Sequence, residues 1–275
     1  MDHLERYGSD VVTGTAAISW ASAAGGHPNW WARRLSLVRG FARYLHDREP
    51  GHEVPPAGIF PTRPSRATPY LYTDEDIGRL MEAARSLRTS WGRTMETLIG
   101  LLAVTGMRVG EAIRLDVTDI DWEGGLLVVR STKFGKSREV ALHATAVAAL
   151  RTYGDERLCL GPRLKTSAFL VSTRGDRLAY DSVQKTFHRL VVRLGFPRPT
   201  ERYGPRLHDL RHTFVVRTIV DWYRGGVDVA QRLHRLSTYL GHFDPSSTYW
   251  YLSAAPELLA LAAERLEPDT GDLRE

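Results

Sequence analysis

The chain holds one cysteine, Cys159, in 275 residues. No disulfide can form within it, and a reducing cytoplasm is the simplest setting. No apolar run reaches the length of a membrane span, and none follows Met1 as a signal peptide would require. A cytoplasmic protein without membrane contact is therefore expected. There is no complete Gly-x-x-x-x-Gly-Lys-Ser/Thr phosphate loop, since Gly135-Lys136-Ser137 has Arg130 where the leading glycine would stand, so the usual nucleotide-hydrolysing machinery is missing. His208 and His212 stand four apart, but no glutamate follows the first as a zinc-protease motif needs, and no cysteine or third histidine sits at ligand spacing. No acidic cluster of the kind a metal-dependent nuclease uses presents itself. Neither a metal nor any other cofactor is expected.

What is present is a modest basic excess: 37 lysines and arginines against 32 acidic residues, a formal charge of +5 and a pI near 9.4. It is arginine-heavy. It permits nucleic-acid binding without proving it. The length suits one large domain or two smaller ones, with apolar residues enough for a sizeable core.

Residues 13–24 read as a short helix capped by Thr13, and residues 28–47 as a longer one with Pro28 in its first turn. Trp31, Leu35, Val38, Phe41 and Leu45 fall on one face at helical spacing. Arg33, Arg34, Arg39 and Arg43 occupy other positions on the same helix. A packed stripe with basic flanks suits a helix facing DNA phosphates; a solvated arginine face fits the same residues. Six prolines between Pro50 and Pro69 forbid a continuous helix there. Residues 48–69 read as an extended interdomain linker, which gives two domains, 1–66 with the linker and 67–275.

In the second domain Thr73 caps a helix with Asp74, Glu75 and Asp76 in its first turn, where the helix dipole favours them. Ile77, Leu80, Met81 and Ala84 form its apolar face. A helix over residues 90–104 turns Met95, Leu98, Leu101 and Leu102 inward. Gly106 then lets the chain turn, and Arg108 opens the next helix with Glu111 one turn on. Glu111 can hold the Arg108 guanidinium, although a surface ion pair is the commoner fate of that spacing. Residues 126–129 and 139–142 read as strands joined by a hairpin tip that carries Lys133 and Lys136 around Gly135. Residues 143–153 form a helix and residues 168–171 a short strand. A helix over 180–194 turns Val183, Phe187, Leu190, Val191 and Leu194 inward. Lys185, Arg189 and Arg193 recur on it every four residues, either as a ridge along a DNA backbone or as a solvated face.

The helix over 208–224 places His208 and Arg211 three apart, on one face, where both can reach one phosphate. Asp209 caps or orients, and His212 is packed or hydrogen-bonded. Gly225-Gly226 ends that helix, and Val227 to Leu240 make the next. Gly241 stops it and sets His242 at a turn. Tyr251 follows on a short helix, with Tyr249 as its competitor. Residues 256–266 form a last amphipathic helix.

The order Arg108, Lys133, His208-x-x-Arg211, His242, Tyr251, with the tyrosine nine positions after His242, resembles the tyrosine recombinases of the phage-integrase family. The resemblance runs from Thr105 to Leu252, over half the chain. It implies a mostly α fold with a small antiparallel β-sheet (α+β), preceded by a short helical core-binding domain of SAM-like type. Such domains hold four or more helices. This one has room for two and a stub at Leu4 to Gly8, so either its first helix is absent or the chain starts late. The resemblance also implies site-specific cutting and rejoining of double-stranded DNA through a 3′-phosphotyrosine, in integration or transposition, by a homo-tetramer on paired sites that can be a monomer in solution. In that chemistry Arg108 and Arg211 grip the scissile phosphate and His208 accepts the phenol proton. His242 bonds the phosphate, Lys133 (or Lys136, or neither, if it is a solubilising turn lysine) protonates the leaving oxygen, and Tyr251 attacks. Glu111 supports Arg108. Type IB topoisomerase-like relaxation uses the same chemistry on its own, and a non-catalytic DNA-binding relative remains a second rival. Against the latter, all six candidate positions carry the competent residue.

Overall fold

The computed structural model describes residues 10–61, 68–130, 137–198 and 204–241. The chain divides into two compact units, Met1–Ala67 and Thr68–Glu275. Among the described residues, no helix is long and apolar enough to cross a membrane.

The first unit is built on a helix pair. The Thr13 hydroxyl accepts from the Ala16 amide and starts α1 (Gly14–Ala23). Pro28 sits at the start of α2 (Pro28–His46), where its missing N–H costs nothing. Leu35 and Ala42 are buried with Val12, Ala17 and Ala21, and Val38, Leu45 and Phe60 pack at the margin. Phe41, expected on this stripe, is instead 57% exposed. The inward positions advance from Leu35 to Val38, Ala42 and Leu45, and Phe41 lies one residue, about 100°, off that line. The proline-rich segment is also no free linker over its first part. The Val12 amide donates to His52 Nδ1 at 3.0 Å and the Glu53 amide to the Val12 carbonyl at 2.7 Å. Phe60 meets the Trp31 ring edge-on, centroids 5.6 Å apart. Proline loses its own donor but keeps its carbonyl, so other donors can strap the segment to the helices. The stub at Leu4 to Gly8 lies outside the described residues.

In the second unit, α3 (Asp74–Arg85) opens on a reciprocal cap. The Thr73 hydroxyl accepts from the Asp76 amide and the Asp76 carboxylate from the Thr73 amide, both at 3.0 Å. α4 (Ser90–Thr105) is central: nine of its 16 residues are buried, because α3, α6 (Ala144–Leu158) and α8 (Leu207–Arg224) all pack on it. The short α5 (Val109–Arg114) follows. An antiparallel sheet of order β1 (Ile120–Asp121), β2 (Leu126–Val129), β3 (Arg138–Ala141) runs in register from Leu126 opposite Ala141 to Val129 opposite Arg138. Its buried residues alternate, Leu127 and Val129 on β2 and Val140 on β3, as a one-faced sheet requires. α7 (Tyr180–Leu194) buries Val183, Phe187, Leu190 and Val191. The main core joins Leu98 and Leu102 of α4 to Leu127, Phe169, Phe187 and Leu210, and a second cluster zips α8 to α9 (Val229–Leu240) through Val216, Ile219, Leu233 and Leu236. The result is the mostly helical fold with a small antiparallel sheet that the resemblance implies.

Three local expectations change. Residues 168–171 are buried but form no strand: Ala168 bridges Asp116 and Val171 bridges Arg177 singly, so no ladder continues. α6 runs on to Leu158. α9 begins at Val229, because the Asp228 carboxylate takes the Gln231 amide at 3.1 Å and fixes the cap there.

Candidate active site

Two helix ends create the site. α4 stops at Gly106 and α9 at Gly241, both left-handed, with φ of 61° and 66°. Only glycine takes that conformation without strain, and it closes each helix with its last carbonyls turned outward. Those carbonyls carry the negative end of the helix dipole and so favour cations. Arg211 uses them directly. It is 2% exposed, and it donates from Nη1 to the Gly106 carbonyl and from Nη2 to the Leu240 carbonyl, both at 2.7 Å. Arg108 Nη2 reaches the next carbonyl, that of Gly241, at 3.2 Å. Arg108 and Arg211 are thus held by neighbouring peptide groups of one helix terminus.

Arg108 is also fixed at its own backbone. As the residue that caps α5, it gives its amide to Glu111 Oε2 at 2.8 Å and its Nη1 to Glu111 Oε1 at 2.9 Å. Glu111 is 4% exposed, while 39% of the Arg108 side chain faces solvent. Burial alone would raise the Glu111 carboxyl, but the hydrogen bond from Arg138, the Arg108 amide and both guanidinium charges outweigh it and hold it at about 2. The pair is therefore not the exposed helix ion pair that its spacing suggests.

His208 lies one turn before Arg211 on α8. Its ring meets that of His212 edge-on, centroids 4.7 Å apart. The residue is exposed, yet the protein around its ring disfavours the charged form, and with the charges of His212 and Arg211 this lowers it to about 4. At neutral pH the imidazole is uncharged and can accept a proton. Asp209 is fully buried. It takes the Arg206 amide at 2.9 Å and Arg206 Nη2 at 2.8 Å, which locks the start of α8.

The structure therefore brings Arg108, Glu111 and Arg211 together, with His208 beside Arg211. Lys133, Lys136, His242, Tyr249, Tyr251 and the tail helix over 256–266 lie outside the described residues. Lys185 and Arg189 are exposed on α7, where Arg189 Nη2 donates to Thr186 Oγ1 at 3.3 Å. Arg33, Arg34, Arg39 and Arg43 belong to the first unit. There Arg39 is turned to the carbonyls of Pro55 and Pro56, at 2.8 and 2.6 Å, and Arg34 to that of Ala21, at 3.3 Å, whereas Arg33 and Arg43 stay exposed. Among the described residues, no group of three His, Cys, Asp or Glu side chains is arranged to hold a metal ion.

One participant escaped the sequence reading. Arg138, at the start of β3, donates from Nη2 to Glu111 Oε2 at 2.7 Å and from Nη1 to Glu111 Oε1 at 3.2 Å. The signal was there: Arg138 and Val140 are two apart on a strand, so they share the inward face.

Paired guanidiniums, one buried and one half-open, held by fixed acceptors, have the charge and fork geometry that suit a phosphate. The family model described as the phage integrase family matches residues 71–257. The integrase/recombinase y4rB of Sinorhizobium fredii is 41% identical over 96% of this chain and 87% of its own length. The tyrosine recombinase XerD of Caulobacter vibrioides is 28% identical over 94% of this chain and 82% of its own length. The fold matches the crystal structure of the XerH site-specific recombinase bound to palindromic difH substrate, a post-cleavage complex, with a TM-score of 0.68, 20% identity, and coverage of 93% of this chain and 73% of that one. The chain belongs to the phage integrase family, the tyrosine recombinases, enzymes that break and rejoin DNA.

Proposed function

We propose that this protein is a site-specific recombinase that cuts and rejoins double-stranded DNA through a 3′-phosphotyrosine at Tyr251, in the service of DNA integration or transposition. The observation that carries this reading is the placing of Arg108 and Arg211 on adjacent carbonyls of one helix end, with Glu111 buried behind Arg108. Two planar forks so fixed suit the non-bridging oxygens of one phosphodiester and would neutralise charge as it grows in the transition state. A phenol titrates near about 10, so Tyr251 needs a proton acceptor, the role we give to the neutral His208. Lys133 would protonate the departing 5′ oxygen, with Lys136 as the alternative donor, and His242 would hydrogen-bond the phosphate. The phosphotyrosine conserves the energy of the broken bond, so rejoining takes neither nucleotide nor metal.

The first unit would act as the core-binding clamp, with the exposed Arg33 and Arg43 on phosphates. Lys185 and Arg189 would follow the backbone on the catalytic side. Work on paired sites calls for four copies, and a chromosomal or element substrate places the protein in the cytoplasm.

The test is a nicked suicide substrate made from element-end or genomic DNA, with EDTA present, comparing wild type and Tyr251→Phe. A protein–DNA adduct that survives denaturation in wild type alone supports the reading. An adduct that persists in Tyr251→Phe moves the nucleophile elsewhere, Tyr249 first. No adduct despite DNA binding overturns strand cleavage.

A further inference from the structure

We propose that Arg138 is a positioning residue of the cleavage site, holding Glu111, and through Glu111 the Arg108 guanidinium, at the mouth formed by Gly241. This deepens the recombinase reading and rests on its placing of the phosphate at Arg108. The geometry starts from the two oxygens of Glu111. Each accepts twice: Oε1 from Arg108 Nη1 at 2.9 Å and Arg138 Nη1 at 3.2 Å, Oε2 from the Arg108 amide at 2.8 Å and Arg138 Nη2 at 2.7 Å. A carboxylate can offer about four lone-pair directions, so these four donors use its capacity. Nothing is left to let Glu111 rotate. Arg138 is the fork that closes the set, and only its side chain arrives from another part of the chain, 27 residues on in β3.

Three further observations separate this arrangement from an ordinary structural ion pair. First, the Arg138 side chain is 11% exposed, so its fork meets Glu111 largely out of water, and among the described residues its buried Nε meets no acceptor. Second, a Cβ on Gly241 would lie 2.9 Å from Arg138 Nη1 and 3.7 Å from Arg108 Nη1. Both forks therefore crowd the residue whose carbonyl anchors Arg108 and which precedes His242 in the chain. Third, Arg138 stands opposite Val129 at the foot of the hairpin, and the other leg is pinned as well, by Arg130 on the buried Asp119. The segment between these feet contains Lys133 and Lys136. One carboxylate thus links the arginine site to the strand that leads out of the lysine-bearing segment.

The consequence is kinetic. Arg138 touches no substrate in this scheme, so its loss should leave DNA affinity alone and slow the chemical step by misplacing Arg108. The test uses the full chain and the nicked duplex on which wild type forms its adduct. Because Arg138→Ala can fail to fold, Arg138→Lys is measured beside it; an ammonium keeps the charge but cannot span both carboxylate oxygens. For Arg138→Lys, the single-turnover adduct rate at saturating DNA should fall on the order of 100-fold, with DNA affinity within about twofold. In a Glu111→Gln background the same substitution should add little, since both act through one contact. Weaker DNA binding with an unchanged rate would make Arg138 a direct phosphate contact and overturn the proposal, as would no change in either. A wild type that forms no adduct fails the recombinase reading itself. In that case Glu111, labelled with 13C-glutamate and followed by NMR, still decides: an upward move of its titration in Arg138→Lys supports the clamp, and an unmoved titration overturns it.

Discussion

The Glu111 carboxylate lies between Arg108 and Arg138, 2.9 Å from Arg108 Nη1 and 2.7 Å from Arg138 Nη2. A buried charge with two opposite charges on it is a liability when broken. Glu111→Gln leaves two guanidiniums facing an amide that is partly a donor, and should cost roughly 3–5 kcal/mol of stability. The pH dependence has a definite sign. The folded carboxyl titrates at about 2 and an ordinary one at 4.5, so the folded state binds fewer protons between those values. This contribution, about 3 kcal/mol, is complete above pH 4.5 and is lost as pH falls toward 2. Urea midpoints at pH 7, 4.5 and 3 for wild type and Glu111→Gln should converge toward low pH. Parallel curves would refute the assignment.

That relationship also shows what the sequence could and could not reveal. Caps and helix faces were legible because their cause is local. Thr73 with Asp76, Thr13 with Ala16 and the stripe Leu98, Leu101, Leu102 each lie within a turn or two. The Arg108–Glu111 spacing was legible too, but its burial was not, since that depends on Arg138 in β3 and on the end of α9. Phe41 was misplaced for the opposite reason: a five-residue stripe tolerates one wrong member when Ala42 is too small to be noticed. Residues 168–171 looked like a strand because they are buried and apolar, yet a strand needs a partner ladder, and pairing with Asp116 is a long-range fact. The acceptors of Arg211 are backbone carbonyls, which no residue type announces.

Arg211 is the strongest test of those acceptors. It is 2% exposed, and Lys at that position can meet one carbonyl but not span Gly106 and Leu240 as the fork does. Arg211→Ala should abolish adduct formation and, by leaving two helix-end carbonyls without their donor, destabilise by roughly 2–4 kcal/mol. Arg211→Lys should keep much of the stability and little of the activity. Melting temperature and adduct yield, measured together, check both statements. A fully active Arg211→Lys would show that the fork is not needed.

Gly106 and Gly241 have similar backbone angles but different neighbours, so alanine should separate them. At Gly106 the new Cβ would sit 2.4 Å from Phe214 Cδ1, an aromatic wedged against Tyr239 with centroids 5.9 Å apart. With φ strain added, Gly106→Ala should cost roughly 2–4 kcal/mol. At Gly241 the contact is Arg138 Nη1 at 2.9 Å, the end of a long side chain that can give by a few tenths of an ångström while keeping its bonds to Glu111. Gly241→Ala should destabilise by only about 1–2 kcal/mol, most of it from the left-handed φ. It should still slow cleavage by moving the guanidiniums. Chemical denaturation ranks the first effect and single-turnover kinetics the second. Equal stability losses would contradict the difference in contacts.

His208 gives the pH signature of the site. Its ring is held down to about 4 against an ordinary 6.5, so the free protein keeps it neutral through the physiological range. In the role proposed for it, as the proton acceptor for Tyr251, His208 sets the acid limb of kcat/KM at its free-enzyme value, and that limb should fall near pH 4 and not near 6.5. Bound phosphate places a negative charge beside the ring and favours the imidazolium, so the acid limb of kcat should lie at higher pH than that of kcat/KM. The stability sign is separate. The folded group binds fewer protons than the unfolded one between 6.5 and 4, so its contribution is present above 6.5 and lost as pH falls to 4. His208→Ala should lower the adduct rate by about 10²–10⁴-fold with DNA affinity retained. The decisive measurement is the pair of acid limbs, from single-turnover rates between pH 4 and 8 at limiting and saturating DNA. If both limbs fall at the ordinary histidine value, the crowding of His208 by His212 and Arg211 does not govern its proton, and the base must be sought elsewhere.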